Sequence, residues 1–136
     1  MKLDVVTPEG AKVKALETGS VTLPGATGEM GILPGHRPLM AALAIGPMVV
    51  ETAGGLQTFA LANGYLEVVV DTLRVLAETC EAADEIDVAR AREKWEQVTR
   101  SLADVAPIQA EAYHALSASL KKAETRIKVA ETAMKR

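Results

Sequence analysis

The chain has 136 residues, 49 % of them apolar but only 3 % aromatic, so it can bury one aliphatic core of Val, Leu, Ile and Ala. A net charge of −3 argues against a nucleic-acid binder of the basic-patch kind. A single cysteine, Cys80, excludes an internal disulfide and fits a reducing compartment. The charge is unevenly spread. Residues 1–84 carry five Lys/Arg and ten Asp/Glu, and residues 85–136 carry ten and eight, so the halves stand at −5 and +2. No run reaches transmembrane length, and "MKLDVVTPEG" has neither an apolar signal core nor an Arg/Ser-rich transit pattern. Membrane association is therefore expected only through a partner.

Up to about residue 80 the apolar runs are short, β-branched and separated by turn residues. "LDVVT" stops at Thr7-Pro8-Glu9-Gly10, "SVTL" at Pro24-Gly25, and "PMVVET" at Ala53-Gly54-Gly55. "LQTFALA" stops at Asn63-Gly64, "YLEVVV" at Asp71-Thr72, and "LRVLAE" follows. Short strands at this spacing predict a β-sandwich or barrel. Runs such as Val68-Val69-Val70 are apolar on both faces, which predicts a sheet that is largely covered. Arg37 to Leu43 is open to either a helical or an extended connection.

Beyond Asp84 the glycines cease, and alanine and charge take over. Val88, Ala91, Trp95, Val98, Leu102 and Val105 fall three and four apart, one stripe of an amphipathic helix. Asp84 or Asp87 can cap its start by accepting backbone N–H bonds. Pro107, which lacks a backbone donor, suits the first turn of a second helix. The second stripe is Ile108, Ala112, Leu116, Leu120, Ala123, Ile127, Ala130 and Met134. Two helices joined by a short link predict an antiparallel hairpin. Its stripes are narrow and partly alanine, so it should be weakly held and able to open.

Phosphate-loop, zinc-protease, CxxC and nucleophile-elbow motifs do not occur, and the only histidines, His36 and His114, lie in different halves. No metal site and no catalytic residue is predicted. Cys80 reads as a half-buried structural thiol, and His114 as a solvated helix residue. The crowded stretch "GILPGHRPL" first describes a stiff turn, because glycine supplies positive φ and proline fixes φ. A small hydrolase using His36 and Glu29 is the enzymatic alternative, without a visible orienting partner or cleft.

"GEMGILPGHRPLM", followed by "NGYLEVVVDTLRVLAETCEAADEIDVARA", resembles the ε subunit of bacterial and chloroplast F-type ATP synthases. The motifs recur in order along the whole chain. Two departures are Gly46-Pro47, where the family has Pro-Gly, and Asn63-Gly64, where it has Gly-Gly. The resemblance implies an α+β fold: an N-terminal antiparallel β-sandwich of about ten strands over residues 1–84, then a C-terminal antiparallel helical hairpin over 85–136. It implies a non-catalytic place in the central stalk. The partners would be the γ subunit, the c-ring and the α/β catalytic head, at the cytoplasmic face of the bacterial plasma membrane or the stromal face of thylakoids. The hairpin would lift away and restrain ATP hydrolysis.

Residue by residue, Glu29 would face the ring, and His36 with Arg37 would face γ. Arg92, Lys94, Arg100, Lys121 and Lys128 would form a basic helix face drawn to the head, with Arg90, Lys122 and Arg126 as further cations. Ile86-Asp87-x-x-Arg90-Ala91 resembles the signature with which some ε subunits bind regulatory ATP, with or without Mg²⁺; no cofactor would be obligatory. Glu81, Ile86, Asp87, Arg90, Ala91, Lys122 and Arg126 would form that site. Gln97 replaces an arginine of strong binders, and Lys122 stands where an arginine is usual and lacks its bidentate fork. Asp87 can equally be only a helix cap, with Arg90 its surface neighbour. A nucleotide-sensing switch without a rotary partner is the alternative function.

Overall fold

The computed structural model describes residues 1–106 and 108–134; the expectations for Pro107 and for the Met134 side chain lie outside the described residues. The β region has eight strands: β1 Lys2–Thr7, β2 Gly10–Glu17, β3 Val21–Gly25, β4 Gly28–Ile32, β5 Leu39–Leu43, β6 Gly46–Thr52, β7 Gly55–Val69 and β8 Thr72–Ala82. A 3₁₀ turn at Ala83–Glu85 leads to α1 (Val88–Ala103) and α2 (Ala110–Met134). Arg37 to Leu43 resolves as a loop running into β5.

Two expectations change. Asn63-Gly64 does not end a strand: β7 runs through it for 15 residues, paired with β8 from Phe59↔Ala82 to Val69↔Thr72. Two strands expected to be separate thus merge, and the described residues form eight strands against the expected ten or so. Nor is every pair antiparallel, because β1 lies parallel to β8.

The long ribbon explains how one hydrogen-bonded network becomes two layers. Before Asn63, Leu61 and Cys80 point into the main core, while Ala60 and Glu81 point the other way. After Gly64 the opposite face turns inward, carrying Leu66, Val68, Leu73 and Val75. The register keeps one offset on both sides, skipping only Asn63 and Glu78, so the ribbon itself rolls over at this point. Asn63 has φ 49° and Gly64 φ 135°, angles that supply the roll. A Cβ on Gly64 would stand 1.8 Å from the Leu76 carbonyl oxygen. The rest of the core comes from Leu3 and Val5 of β1, Val21 and Leu23 of β3, Ile32 of β4, and Met48 and Val50 of β6, all buried.

The hairpin rests on β6, β7 and the 3₁₀ turn through α2. Its separate apolar seat consists of Ala60, Ile86, Val129 and Ala130, with Ala83 and Val88 at the margin. Fully burying Ile86 and Val129 is worth roughly 1.5–3 kcal/mol each, offset by the ordering of the helices. The helices hold each other by polar contacts as well. Arg92 Nη2 donates to Glu131 Oε1 at 2.7 Å, and Trp95 Nε1 to Glu124 Oε1 at 3.4 Å. Three stripe positions expected to be buried are not: Trp95 of α1 is 37 % exposed, Ile108, ahead of α2, is 91 % exposed, and Ala112 is exposed too. The stripe of α1 narrows to Ala91 and Val98 as its fully buried members.

Candidate functional site

Two adjoining cavities form a groove between β8 and the helices. One, about 650 Å³, is lined by Glu81, Arg90, Glu93, Lys94, Gln97 and Arg126. The other, about 240 Å³, shares Glu81, Lys94 and Arg126 and adds Lys122, Ser119, Thr79 and the small apolar face of Ala60, Leu61 and Ala62. Four cations therefore meet on one groove from positions 90, 94, 122 and 126. Spacings of four bring Arg90 to Lys94 on α1, and Lys122 to Arg126 on α2, onto common helix faces.

One member of the groove is already engaged. Arg126 Nη2 donates to Glu81 Oε2 at 3.2 Å, and its Nε lies 2.9 Å from Oε1 in an ionic contact without an aligned hydrogen bond. Both side chains are about two-thirds buried, at 27 % and 33 % exposure, so the pair is less screened than a surface one. It ties α2 to the last strand of the sandwich.

Of the seven residues predicted for nucleotide, Glu81, Arg90, Lys122 and Arg126 are brought together here. The others take different places. Asp87 caps α1, its Oδ1 accepting the Arg90 N–H at 3.0 Å. Ile86 is buried in the hairpin seat, and Ala91 is fully buried on α1. Gln97, singled out as a departure, lines the same cavity as Arg90. The donor set fits a polyphosphate: guanidinium and ammonium groups converge beside a small apolar wall. Glu93, which no sequence pattern singles out, also lines the groove, and Lys94 opens here and not on a separate basic helix face.

The predicted basic face is not one face. Lys94 opens on the groove, Arg92 is paired to Glu131, and Lys128 lines a separate hollow with Trp95. Arg100 and Lys121 are exposed, with Arg100 Nε donating to the Glu96 carbonyl at 3.4 Å.

Glu29 and His36 are not assembled into a dyad. Glu29 is exposed on β4 opposite Pro24, whereas His36 lies in the loop beyond the far end of that strand, its Nδ1 2.8 Å from the Arg37 carbonyl. That loop is tethered by the Gly35 N–H to Asp71 Oδ1 at 3.4 Å. Among the described residues no cluster of His, Cys, Asp or Glu could hold a metal, and no helix is long and apolar enough to cross a membrane.

Burial pushes the Cys80 thiol up from an ordinary 9.0 to about 11. Two pH units mean roughly a hundredfold less thiolate at neutral pH. The native chain should therefore react with iodoacetamide at pH 8 at least tenfold more slowly than the urea-unfolded chain; equal rates would show Cys80 to be exposed. Because the unfolded thiol ionises first, this group's effect on stability is absent below about pH 9. It becomes increasingly unfavourable as pH rises to about 11.

On the opposite side of the sandwich, the outward faces of four paired strands carry an apolar strip. Ala42, Tyr65, Leu76 and Val6 are successive cross-strand partners on β5, β7, β8 and β1. Tyr65 is 60 % exposed and Leu76 49 %, and all four, with Pro8, line a shallow groove of about 600 Å³. The roll at Asn63-Gly64 is what puts this strip on the face remote from the hairpin. Chain pattern alone did not reveal it, because the inward-facing parity changes in mid-strand.

Residues 1–83 match the family described as "ATP synthase, Delta/Epsilon chain, beta-sandwich domain". The chain is 41 % identical over 133 residues to "ATP synthase epsilon chain" of Desulforamulus reducens, covering 96 % of each. It is 37 % identical over 136 residues to the protein of the same name in Geobacter sulfurreducens, covering all of this chain and 97 % of that one. Its fold is similar to a chain in the cryo-EM structure of the Euglena gracilis mitochondrial ATP synthase OSCP/F1/c-ring assembly. The TM-score is 0.80 at 19 % identity, over 98 % of this chain and 81 % of that one. With a family match over most of its length and relatives aligned nearly end to end, the chain belongs to the ε-subunit family of the F-type ATP synthases.

Proposed function

We propose that the chain works as a non-catalytic central-stalk subunit, coupling rotation of the c-ring to ATP synthesis and restraining ATP hydrolysis through its helical pair. The observation that carries this reading is the contrast between the two outer faces. One bears the exposed apolar strip of Val6, Ala42, Tyr65 and Leu76. The other bears a helix pair held through a small apolar cluster, Val129 and Ala130 of α2 against Ala60 and Ile86, and through one ion pair about two-thirds buried. An exposed apolar strip of this kind marks a protein contact, and the stalk γ subunit is the partner we assign to it. Glu29, near the start of β4, and His36, in the loop beyond its end, are assigned to the ring and to γ respectively. The complex would hold the chain at the cytoplasmic face of a bacterial plasma membrane.

The strip can be tested directly. Leu76→Glu, on the exposed face, should leave the isolated fold intact and abolish co-purification with γ and the c-ring. Retention of the variant in the stalk would remove the assignment. A nucleotide switch without a rotary partner would need the groove but not the strip, so failure of the unaltered chain to co-purify would favour that alternative.

The groove supports regulatory ATP. Arg90, Lys94, Lys122 and Arg126 would hold phosphates, and ATP would compete with Glu81 for Arg126. Binding would join α1 to α2 and so favour the paired arrangement that the two helices have on the sandwich. By calorimetry, Arg126→Ala should weaken ATP binding at least tenfold. Gln97→Arg, which adds a fork donor, should strengthen it about tenfold. No heat from the unaltered chain at millimolar ATP would end the idea.

A further inference from the structure

The link between sandwich and hairpin is fastened more tightly than its exposure suggests. Strand β8 remains paired to β7 as far as Ala82, opposite Phe59. The next three residues form the 3₁₀ turn, closed by the Ile86 N–H to the Ala83 carbonyl. Glu85 does two things at once. Its Oε1 accepts the Ala82 N–H at 3.2 Å, and its Oε2 takes an ion pair from Lys12 Nζ. Lys12 lies on β2, 73 residues away in sequence and part of the sandwich. The pair raises the Lys12 pKa and lowers that of Glu85, each through the hydrogen bond between them. Everything up to Glu85 is therefore held from the sandwich side.

On the other side, α1 begins at Val88 with Asp87 already committed as its cap. Ile86 has φ −82°, ψ 125° and Asp87 φ −82°, ψ 100°. These two extended residues are all that lies between the fastened turn and the helix. We infer that Lys12, acting through Glu85, anchors the 3₁₀ turn to the sandwich, so that the departing hairpin pivots on Ile86 and Asp87 alone. This rests on the reading that the hairpin leaves its seat. The two ion pairs then have opposite duties: Arg126–Glu81 must break for the hairpin to leave, and Lys12–Glu85 stays made. A two-residue pivot also keeps the freed helices near their seat, at high effective concentration for return.

Amide hydrogen exchange by NMR on the full-length chain tests this. The variants are Arg126→Ala, Lys12→Met, which keeps the aliphatic stem, and Lys12→Arg, which keeps the charge. In Arg126→Ala the amides around Val129 and Ala130 should exchange faster, while those of Ala82 and Ile86 keep their protection. In Lys12→Met the Ala82 and Ile86 amides should speed up by about threefold, the scale of one exposed ion pair, and Lys12→Arg should restore them. Two results would overturn the inference: Ala82 and Ile86 accelerating together with α2 in Arg126→Ala, or showing no change in Lys12→Met. If α2 is unaffected by Arg126→Ala, the ion pair does not hold the hairpin, and the pivot falls with that reading; the Lys12 arm still decides whether the turn is anchored.

Discussion

Removing residues 87–136 should raise ATP hydrolysis by the assembled enzyme about fivefold or more, the lower end of an ordinary regulatory coupling. The sandwich should survive the cut. Its core is complete without the helices, since all its buried members lie between Met1 and Cys80. What the cut uncovers is one isoleucine and small residues: Ile86, Ala60, Ala62 and Ala83, with the rim of Glu81. A change in rate can then be assigned to loss of the helices and not to collapse of the subunit. Assembly should be unchanged, because the Tyr65–Leu76 strip is on the remote face. Equal hydrolysis by the full-length and truncated complexes would make the helices a passive fold. A truncated chain that no longer joins the stalk would instead show that the helices take part in assembly.

The second large effect is on stability. Gly64→Ala should destabilise the isolated chain by at least about 3 kcal/mol, since it adds a forbidden backbone angle to a collision with main chain. For a chain of this size that lowers Tm by about 10 °C or more. The obstacle is the Leu76 carbonyl of the paired strand, which cannot move without breaking the ladder at Tyr65↔Leu76. Asn63→Gly, at a position with φ 49°, should by contrast be close to neutral, because glycine accepts that angle freely. If Gly64→Ala melts with the parent chain, the close approach of β7 to β8 at this point is wrong.

Much of the architecture is legible in the residues. The change from β-branched runs with glycine turns to alanine and charge places the hairpin. The i, i+4 spacings of Arg90 with Lys94 and Lys122 with Arg126 put cations on common faces. Asp87 as a helix cap follows from its place just ahead of an apolar stripe. What is not legible is contact between distant side chains. Arg126 with Glu81 and Lys12 with Glu85 are 45 and 73 residues apart, and no local pattern distinguishes them from solvated charges. Asn63-Gly64 misled for a different reason: asparagine and glycine mark left-handed backbone, and a chain reversal and a rolled strand both require it. The exposed strip was hidden by the same roll, since alternation counted from one end of β7 assigns Tyr65 to the wrong side.

That ribbon has a mechanical meaning. A sandwich of two separately hydrogen-bonded sheets can shear, because only side-chain packing resists sliding of one layer over the other. Here β7 and β8 belong to both layers, and any sliding would have to strain two strands that stay paired in one register on either side of Asn63. The strip that we assign to γ and the seat of the helices are thus two faces of one body joined by the same two strands. On the assignment of the strip to γ, torque applied at that face would be passed to the hairpin seat through backbone, and a load on one face would tilt the other as a lever tilts its far arm.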